Sequence, residues 1–277
     1  MATNVTLNFK QRLQAGELVY GQTIGPGNDP DKTVQALKDF GYDFIMMENE
    51  HSLVNKETIF EYIRVSRELE IPILLRPEEK WANFRCYLDA GVNGMMVPGT
   101  DTVEEALYAV NQSYFPPIGH RGAGIGMSPY LLDGQNPAEM PLLTITGYVN
   151  DNMVLFPQTE SVKGIGNLRH ILNLEGVTGT IVGANDLVLD IGGISPTALR
   201  SELVATDIVE DKLRQIARIC RETGKVSGIG GFAPGGLAKW AKEGYRLFML
   251  GYVINNNVDK LKAGIEEMKS LVGQTVS

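Results

Sequence analysis

The chain has 277 residues, of which 43% are hydrophobic, and a formal net charge of -8. A nucleic-acid partner is not expected, because an acidic chain lacks the basic face that binds phosphates. No apolar run reaches the ~18 residues that suggest a membrane span, and residues 1–14 lack the apolar stretch of a signal peptide. The composition therefore predicts a cytoplasmic protein without membrane or nucleic-acid partners.

Apolar strand-like runs alternate with helix-like stretches along most of the chain. The strand-like runs begin at Leu18, Phe44, Ile71, Gly94, Val154, Thr180, Val226 and Leu247. Helical spacing predicts helices over 56–70, 81–90, 101–114, 235–243 and 258–271, and a helical pair over 196–223. A further helix is predicted to begin at about residue 29, and another, after the strand-like run at Val154, to end at about residue 174. Such alternation implies parallel strands joined by right-handed crossovers.

Eight strands in this order predict closure into a TIM (β/α)8 barrel, and we expect residues 1–277 to form one such domain. A doubly wound open sheet is the alternative fold, but no GxGxxG motif follows the first strand. Residues 116–152 interrupt the alternation and are rich in glycine and proline. Because loops of that length are usually functional or mobile, this segment is predicted to be a long loop or lid.

Polar residues follow four of the strand-like runs. These residues are Glu48-Asn49-Glu50-His51, Arg76, Gln158-Thr159-Glu160 and Asn185-Asp186. The C-terminal ends of barrel strands converge on one face, where active sites are built. One base, one cation and two carboxylates on that face make a metal-dependent enzyme the leading hypothesis.

Glu160 and Asp186 follow neighbouring strands of the predicted barrel. Two carboxylates form a partial oxygen shell for a divalent cation, and water with a chelating substrate would complete it. The alternative is that both residues cap the helices that begin after them. An oxygen-only set indicates Mg, Mn or Co rather than a structural zinc site.

His51 and Arg76 are the other candidate catalytic residues. The pKa of a histidine lies near neutrality, so His51 at a strand end suits general acid–base catalysis. Asp89, near the end of the predicted helix over 81–90, could orient the imidazole of His51, or could be an ordinary solvated helix-end residue. The guanidinium of Arg76 offers a fork for a carboxylate or enolate, or it forms a salt bridge to Glu48 or Glu50.

In these residues the chain resembles the metal-dependent pyruvate aldolases of the HpcH/HpaI type, within the phosphoenolpyruvate/pyruvate barrel superfamily. Matching motifs occur in the family's order over nearly the whole length. They are Asp43-Phe44 through Glu50-His51, Arg76-Pro77, Leu88-Asp89-Ala90-Gly91, Val97-Pro98, Tyr114-Phe115-Pro116-Pro117, Gly119-His120-Arg121-Gly122, Gln158-Thr159-Glu160-Ser161, Gly183-Ala184-Asn185-Asp186-Leu187 and Gly224-Lys225.

The resemblance implies roles in binding. Glu160 and Asp186 would be the metal ligands, with the 2-oxo acid chelating the ion. Arg76 would hold the keto oxygen and stabilise the enolate, and Gln158 would lie beside the substrate. Backbone N–H groups around Ala184 and Asp186 would receive the substrate carboxylate.

The resemblance also implies a reaction and an assembly. His51, oriented by Asp89, would move the proton of the aldol hydroxyl, and a 4-hydroxy-2-oxo acid would be cleaved to pyruvate and an aldehyde. The last helix would pack on a neighbouring subunit of a homo-oligomer, a hexamer or trimer. The alternatives are a sibling enzyme that condenses the enolate or decarboxylates oxaloacetate, and a non-catalytic 2-oxo-acid-binding protein.

Some positions depart from the family's pattern. Glu48 and Asn49 stand where the family has Asp and Gly, Ala184-Asn185 replaces Pro-Ala, and Gly251-Tyr252-Val253 replaces Gly-x-Asp. The metal and enolate residues are retained, so these departures predict altered contacts with the aldehyde.

Overall fold

A computed structural model describes residues 5–126, 128–192, 197, 199, 202, 205–253 and 258–276. Within these residues eight parallel strands form one closed barrel, in which each strand pairs with the next and β8 pairs with β1. The strands are β1 (Val19–Ile24), β2 (Phe44–Glu48), β3 (Ile73–Arg76), β4 (Gly94–Val97), β5 (Val154–Thr159), β6 (Gly179–Val182), β7 (Val226–Gly230) and β8 (Leu247–Val253). The predicted TIM (β/α)8 barrel is confirmed.

Eleven helices surround or close the barrel in the described part of the chain. They are α1 (Val5–Gln14), α2 (Pro30–Asp39), α3 (Lys56–Glu68), α4 (Arg85–Ala90), α5 (Val103–Ser113), α6 (Leu142–Asn152), α7 (Val162–Leu172), α8 (Ala184–Ile191), α9 (Asp207–Thr223), α10 (Pro234–Ala238) and α11 (Asp259–Val276). Short 3₁₀ turns cover Pro137–Glu139 and Lys239–Ala241. The first part of the helical pair predicted over 196–223 falls largely outside the described residues.

Local sequence explains where several helices begin. Asp29 and Asn55 accept hydrogen bonds from the backbone of the first turns of α2 and α3. Thr102 and Glu105 form a reciprocal capping box at the start of α5. These caps satisfy backbone N–H groups that have no partner within the helix, and they direct each helix away from the strand end that precedes it.

Helix α1 was not predicted, and it closes the N-terminal end of the barrel. Phe9 and Leu13 lie four residues apart on one face of α1 and join the buried cluster inside the barrel. The ring of Phe9 lies against Phe44 of β2, with 5.4 Å between ring centroids. The same interior cluster reaches Met46, Met96 and Met249 near the opposite end. Because side chains fill the barrel interior, a substrate can bind only at its rim.

The loop predicted over residues 116–152 is wrong in its second part, because residues 142–152 form α6. Ile145 and Val149 of α6 are buried against Phe115 and Leu132. Helix α5 ends, and β5 begins, at the N-terminal end of the barrel, so the segment between them lies at that end. It therefore cannot be a lid over the C-terminal rim of its own barrel.

The C-terminal helix α11 buries its apolar face within the chain. Leu261, Ile265, Met268 and Val272 are all buried against the rest of the barrel. Contact with a neighbouring subunit would therefore have to use the outer face of α11. Both cysteines are free thiols; Cys220 is buried, whereas Cys86 is exposed. None of the helices in the described residues is both long enough and apolar enough to cross a membrane.

Candidate active site

A small polar pocket opens at the C-terminal ends of the strands. Its volume is about 70 Å³, and its walls include Glu48, His51, Arg76, Gln158, Asp186 and Tyr252. These residues come from four strands, from the turn after β2 and from the first turn of α8. The fold therefore brings strand-end residues together on one face, as predicted.

Arg76 is buried at the floor of this pocket between two carboxylates. Glu48 and Arg76 are register partners on β2 and β3, and Arg76 Nε donates to Glu48 Oε2 at 2.7 Å. Arg76 Nη2 also bonds Glu48, and Nη1 lies 3.2 Å from Glu50 Oε2. Burial opposes the charge on Arg76, but Glu48 first and then Glu50 outweigh it, so the pKa of the guanidinium is raised. The predicted salt bridge is present, and the guanidinium still lines the pocket.

Glu48 also organises the turn that carries His51. Its second oxygen, Oε1, accepts the backbone N–H of Glu50 at 2.8 Å and that of His51 at 3.0 Å. Asn49 accepts the N–H of Val54 through its side-chain oxygen at 3.2 Å. Glu48 and Asn49, the two departures from the family pattern here, thus shape the turn between β2 and α3.

His51 and Asp89 are not brought together within the chain. The side chain of His51 is 61% exposed, and its Nε2 lies 3.4 Å from Glu50 Oε2. Asp89 lies near the end of α4, just before β4 begins, and therefore at the N-terminal end of the barrel. There it accepts a 2.6 Å hydrogen bond from Arg121 Nη2. Among the described residues, the carboxylate that faces His51 is Glu50.

Glu160 is half-buried and held in place beside the pocket. Its Oε1 accepts the backbone N–H of Gly99 at 2.5 Å, and its Oε2 accepts a hydrogen bond from Gln158 Nε2. Burial raises the pKa of Glu160 to about 7, and the negative charges of Glu50 and Asp186 add to this rise. Several carboxylates therefore compete for few positive charges here, which favours a bound cation.

The turn after β6 brings Asp186 beside Glu160. Gly183 precedes α8, and a Cβ atom there would lie 2.2 Å from Glu160 Oε2. Glycine at this position thus allows the close approach of the two segments. Ala184 and Asp186 lie in the first turn of α8, and Gly183 provides no side-chain cap. First-turn N–H groups have no partner within a helix and attract anions, so this helix end suits a carboxylate.

The donor set fits an oxygen-preferring divalent cation. In the described residues, no group of three or more His, Cys, Asp or Glu side chains has the arrangement of a complete metal site. Glu160 and Asp186 provide two carboxylates, and the buried Oε1 of Gln158 has no hydrogen-bond partner. A pair of carboxylates with open positions is typical of Mg²⁺, which usually keeps water and substrate ligands.

For two residues of the site the sequence predicted no catalytic, substrate-binding or metal-binding role. Glu50 lies two residues after β2, and burial raises its pKa despite the opposing charges of Arg76 and His51. Tyr252 on β8 is 51% exposed at the pocket, with its hydroxyl 3.5 Å from Arg76 Nη2. β8 extends to Val253, so Tyr252, named above only among the departures from the family pattern, is part of the last strand at the rim.

The fold and the site define a class: a (β/α)8-barrel protein with a buried arginine, paired carboxylates and a helix N-terminus at one polar pocket. Residues 25–233 match the family model described as HpcH/HpaI aldolase/citrate lyase, and the chain belongs to this family of carbon–carbon lyases. The resemblance deduced from the motifs is thereby confirmed.

Named relatives agree with this assignment. The chain is 31% identical to the hydroxypyruvate/pyruvate aldolase of Roseovarius nubinhibens, over 81% of this chain and 82% of the relative. It is 28% identical to the 2-keto-3-deoxy-L-rhamnonate aldolase of Escherichia coli (strain K12), over 82% and 79% of the two chains.

Solved structures also resemble this barrel. An HpcH/HpaI aldolase from Desulfitobacterium hafniense superposes with a TM-score of 0.78 at 24% identity, covering 94% of this chain and 96% of that one. The citrate synthase SbnG gives a TM-score of 0.75 at 25% identity, covering 95% and 98%.

Proposed function

We propose that the protein is a divalent-metal-dependent aldolase that cleaves a 4-hydroxy-2-oxo acid to pyruvate and an aldehyde. The observation that carries this proposal is the convergence of Arg76, Asp186 and the N-terminus of α8 on one small pocket, with the Glu160 carboxylate close enough to interact electrostatically with Asp186 and Arg76. A 2-oxo acid has an anionic end and an adjacent keto oxygen, which match a helix N-terminus beside a cation. The aldolase names of the relatives support the same class.

In this proposal the first turn of α8, at Ala184 and Asp186, receives the substrate carboxylate, and Gln158 lies beside it. Arg76 stabilises the negative charge that develops on the keto oxygen when the carbon–carbon bond breaks. Because Glu48 and Glu50 hold the guanidinium in place, little reorganisation is needed at that moment. A divalent ion held by Glu160 and Asp186 supplies Lewis-acid stabilisation of the same charge.

His51 is the proposed group that moves the proton of the substrate hydroxyl. Its exposure at the rim leaves it accessible to the part of the substrate that departs as the aldehyde. Glu50 lies 3.4 Å from its Nε2 and is therefore the proposed orienting carboxylate, in the role that the resemblance gave to Asp89.

The direct test is a panel of 4-hydroxy-2-oxo acids with side chains of different size, assayed for pyruvate release with Mg²⁺, Mn²⁺ or Co²⁺. We expect metal-dependent release from at least one of them. Oxaloacetate decarboxylation is the parallel assay, because it needs the enolate site but no hydroxyl proton transfer. Decarboxylation without any aldol cleavage would favour the sibling reaction, and the absence of both would favour a non-catalytic binding protein.

A condensing reaction is the second candidate. The likeness to the citrate synthase SbnG and the departures at Asn185 and Tyr252 favour an acceptor other than a simple aldehyde. Incubation of the protein with oxaloacetate and a set of 2-oxo acids, followed by mass spectrometry, would detect a condensation product.

Replacing Arg76 with Lys should not be a conservative change. Lys keeps one charge but loses the fork that bonds Glu48 and Glu50. We expect a loss of ~2–4 kcal/mol of transition-state stabilisation, comparable to the loss of an oxyanion donor. The measurement is deuterium exchange at the methyl group of pyruvate, which reports enolisation alone. The matched control is Arg67→Lys, at a buried pair with Asp133 far from the pocket. Unchanged exchange in Arg76→Lys would assign Arg76 a structural role only.

Replacing Tyr252 with Ala should alter the choice of aldehyde. The ring is half exposed at the pocket, and one methylene in an apolar contact discriminates by roughly 10–200-fold. We expect relative kcat/KM values for short and long substrates to change by at least about 10-fold. Oxaloacetate decarboxylation should change little. A uniform fall for every substrate would contradict a role in selecting the aldehyde.

A further inference from the structure

A second cavity lies at the N-terminal end of the barrel, opposite the active site. Its volume is about 470 Å³, and it is enclosed by α1, the end of α6 and the turns that precede β6, β7 and β8. Three cationic side chains line it: Lys10 of α1, Lys225 before β7 and Arg246 before β8. We call this cavity the basal cleft.

The cations of the basal cleft are bonded to backbone carbonyls. Lys225 Nζ donates to the carbonyl oxygen of Val177 at 2.6 Å. Lys10 Nζ lies 3.1 Å from the carbonyl oxygen of Asp151, and Arg246 Nη1 lies 3.0 Å from that of Ala241. In the described part of the chain, none of these three cations forms an ion pair with a carboxylate.

The buried arginines elsewhere in the described chain are paired differently. Arg67 pairs with Asp133, Arg76 with Glu48 and Arg121 with Asp89. A protein of net charge -8 has many carboxylates available. Among the described residues, the basal cleft thus holds three cations against one carboxylate, that of Asp151, which also lines the cavity and interacts with Lys10 without forming an ion pair.

Two of these cations also repel each other. Burial lowers the pKa of Lys10, and although Asp151 opposes this, the charge of Lys225 lowers it further. Burial lowers the pKa of Lys225 as well. An anion between the two ammonium groups would relieve both effects, because it restores the solvation that burial removes and offsets their repulsion.

Capping of helix ends is the alternative explanation for these side chains. Lys10 does reach the last carbonyls of α6, where a cation is favourable. However, an ammonium group has three N–H donors, and Lys225 uses one of them on a carbonyl. Lys225 also lines the cavity. Capping therefore accounts for the positions of the lysines but not for the open cavity that both of them line.

We propose that the basal cleft binds a small multivalent anion, with inorganic phosphate as the simplest member of its class, through Lys10, Lys225 and Arg246. Lysine binds phosphate as a point charge and arginine as a fork. A bound anion would join α1 to the turns around it and so stabilise the closed end of the barrel. The basal cleft shares no residue with the pocket at the other end.

The first test measures the melting temperature of the full chain in phosphate and in chloride at equal ionic strength. We expect a phosphate-specific rise that is saturable, as linkage requires for a ligand of the native state. The double variant Lys10→Met with Lys225→Met should bind phosphate at least 10-fold more weakly. Lys262→Met is the matched control, since it removes one exposed lysine of α11 outside the cleft. Equal phosphate responses in the double variant and the wild type would overturn the proposal.

The second test needs no variant and so does not depend on how the substitutions fold. Lysines of the native protein are acetylated with a water-soluble reagent, with and without phosphate, and the modified sites are quantified by mass spectrometry. Phosphate should reduce acetylation of Lys10 and Lys225 at least fivefold and leave Lys262 unchanged. Acetylation of Lys10 and Lys225 that is insensitive to phosphate would also overturn the proposal.

Discussion

Replacing Glu160 with Gln, or Asp186 with Asn, should reduce aldol cleavage by at least about 10³-fold while the barrel remains folded. A bound divalent ion contributes several kcal/mol of charge stabilisation, and each 1.36 kcal/mol corresponds to a factor of about ten in rate. Glu160→Gln keeps the shape of the side chain and can still accept the N–H of Gly99. The variant therefore removes the charge rather than the packing.

Binding of Mn²⁺, followed by calorimetry or by electron paramagnetic resonance, should weaken in both variants. Circular dichroism should show the fold of the wild type. Chelation should inactivate the wild type, and added metal should restore the activity. The matched control is Glu57→Gln, an exposed carboxylate in the first turn of α3, which should change neither metal binding nor rate. Full activity of the wild type in excess chelator would remove the metal from the proposed mechanism.

Replacing His51 with Ala should separate two reactions of the same site. Cleavage of a hydroxy-oxo acid should slow by roughly 10²–10⁴-fold, the usual effect of losing a general acid–base group. Oxaloacetate decarboxylation should largely survive, because no hydroxyl proton is moved. The ratio of the two kcat/KM values, measured on one preparation, is the readout. An equal loss of both reactions would mean that His51 shapes the pocket and does not transfer the proton.

The orienting carboxylate can be tested alongside. Glu50→Gln should reproduce part of the His51→Ala effect, because Glu50 is the carboxylate next to the imidazole. Asp89→Asn should leave the ratio of the two reactions unchanged. It should instead lower the melting temperature, because the buried Arg121 loses its charged partner. If Asp89→Asn changes the ratio and Glu50→Gln does not, the orienting role belongs to Asp89.

Much of the fold could be predicted from the sequence because its signals are local. Each strand of the barrel is a short apolar run, and each amphipathic helix repeats its apolar residues on one face. The order of these elements then fixes which strand ends meet, so the sequence alone assigns Arg76, Gln158, Glu160 and Asp186 to one rim. The family motifs identify the same rim residues independently of the strand pattern.

The signals that failed were weak or misleading for physical reasons. Helix α1 has one short apolar face on a polar segment, and it is stabilised by burial inside the barrel rather than by its own pattern. Residues 142–152 follow a stretch rich in glycine and proline, which obscured the helix. The orienting role of Asp89 stays a prediction: its position just before a strand begins implies the N-terminal end of the barrel, away from His51 of the same chain.

The sequence by itself determined the barrel, the rim and the kinds of group on it, because these follow from local pattern and connectivity. Only the tertiary structure decided how the groups act on one another. The double pairing of Arg76, the contact of Glu50 with His51 and the raised pKa of Glu160 depend on distances between segments that are far apart in the chain. Lys10 and Lys225 are separated by most of the chain, and only closure of the barrel brings their charges together. Electrostatic interactions depend on separation and burial, and a linear pattern specifies neither until the chain has folded.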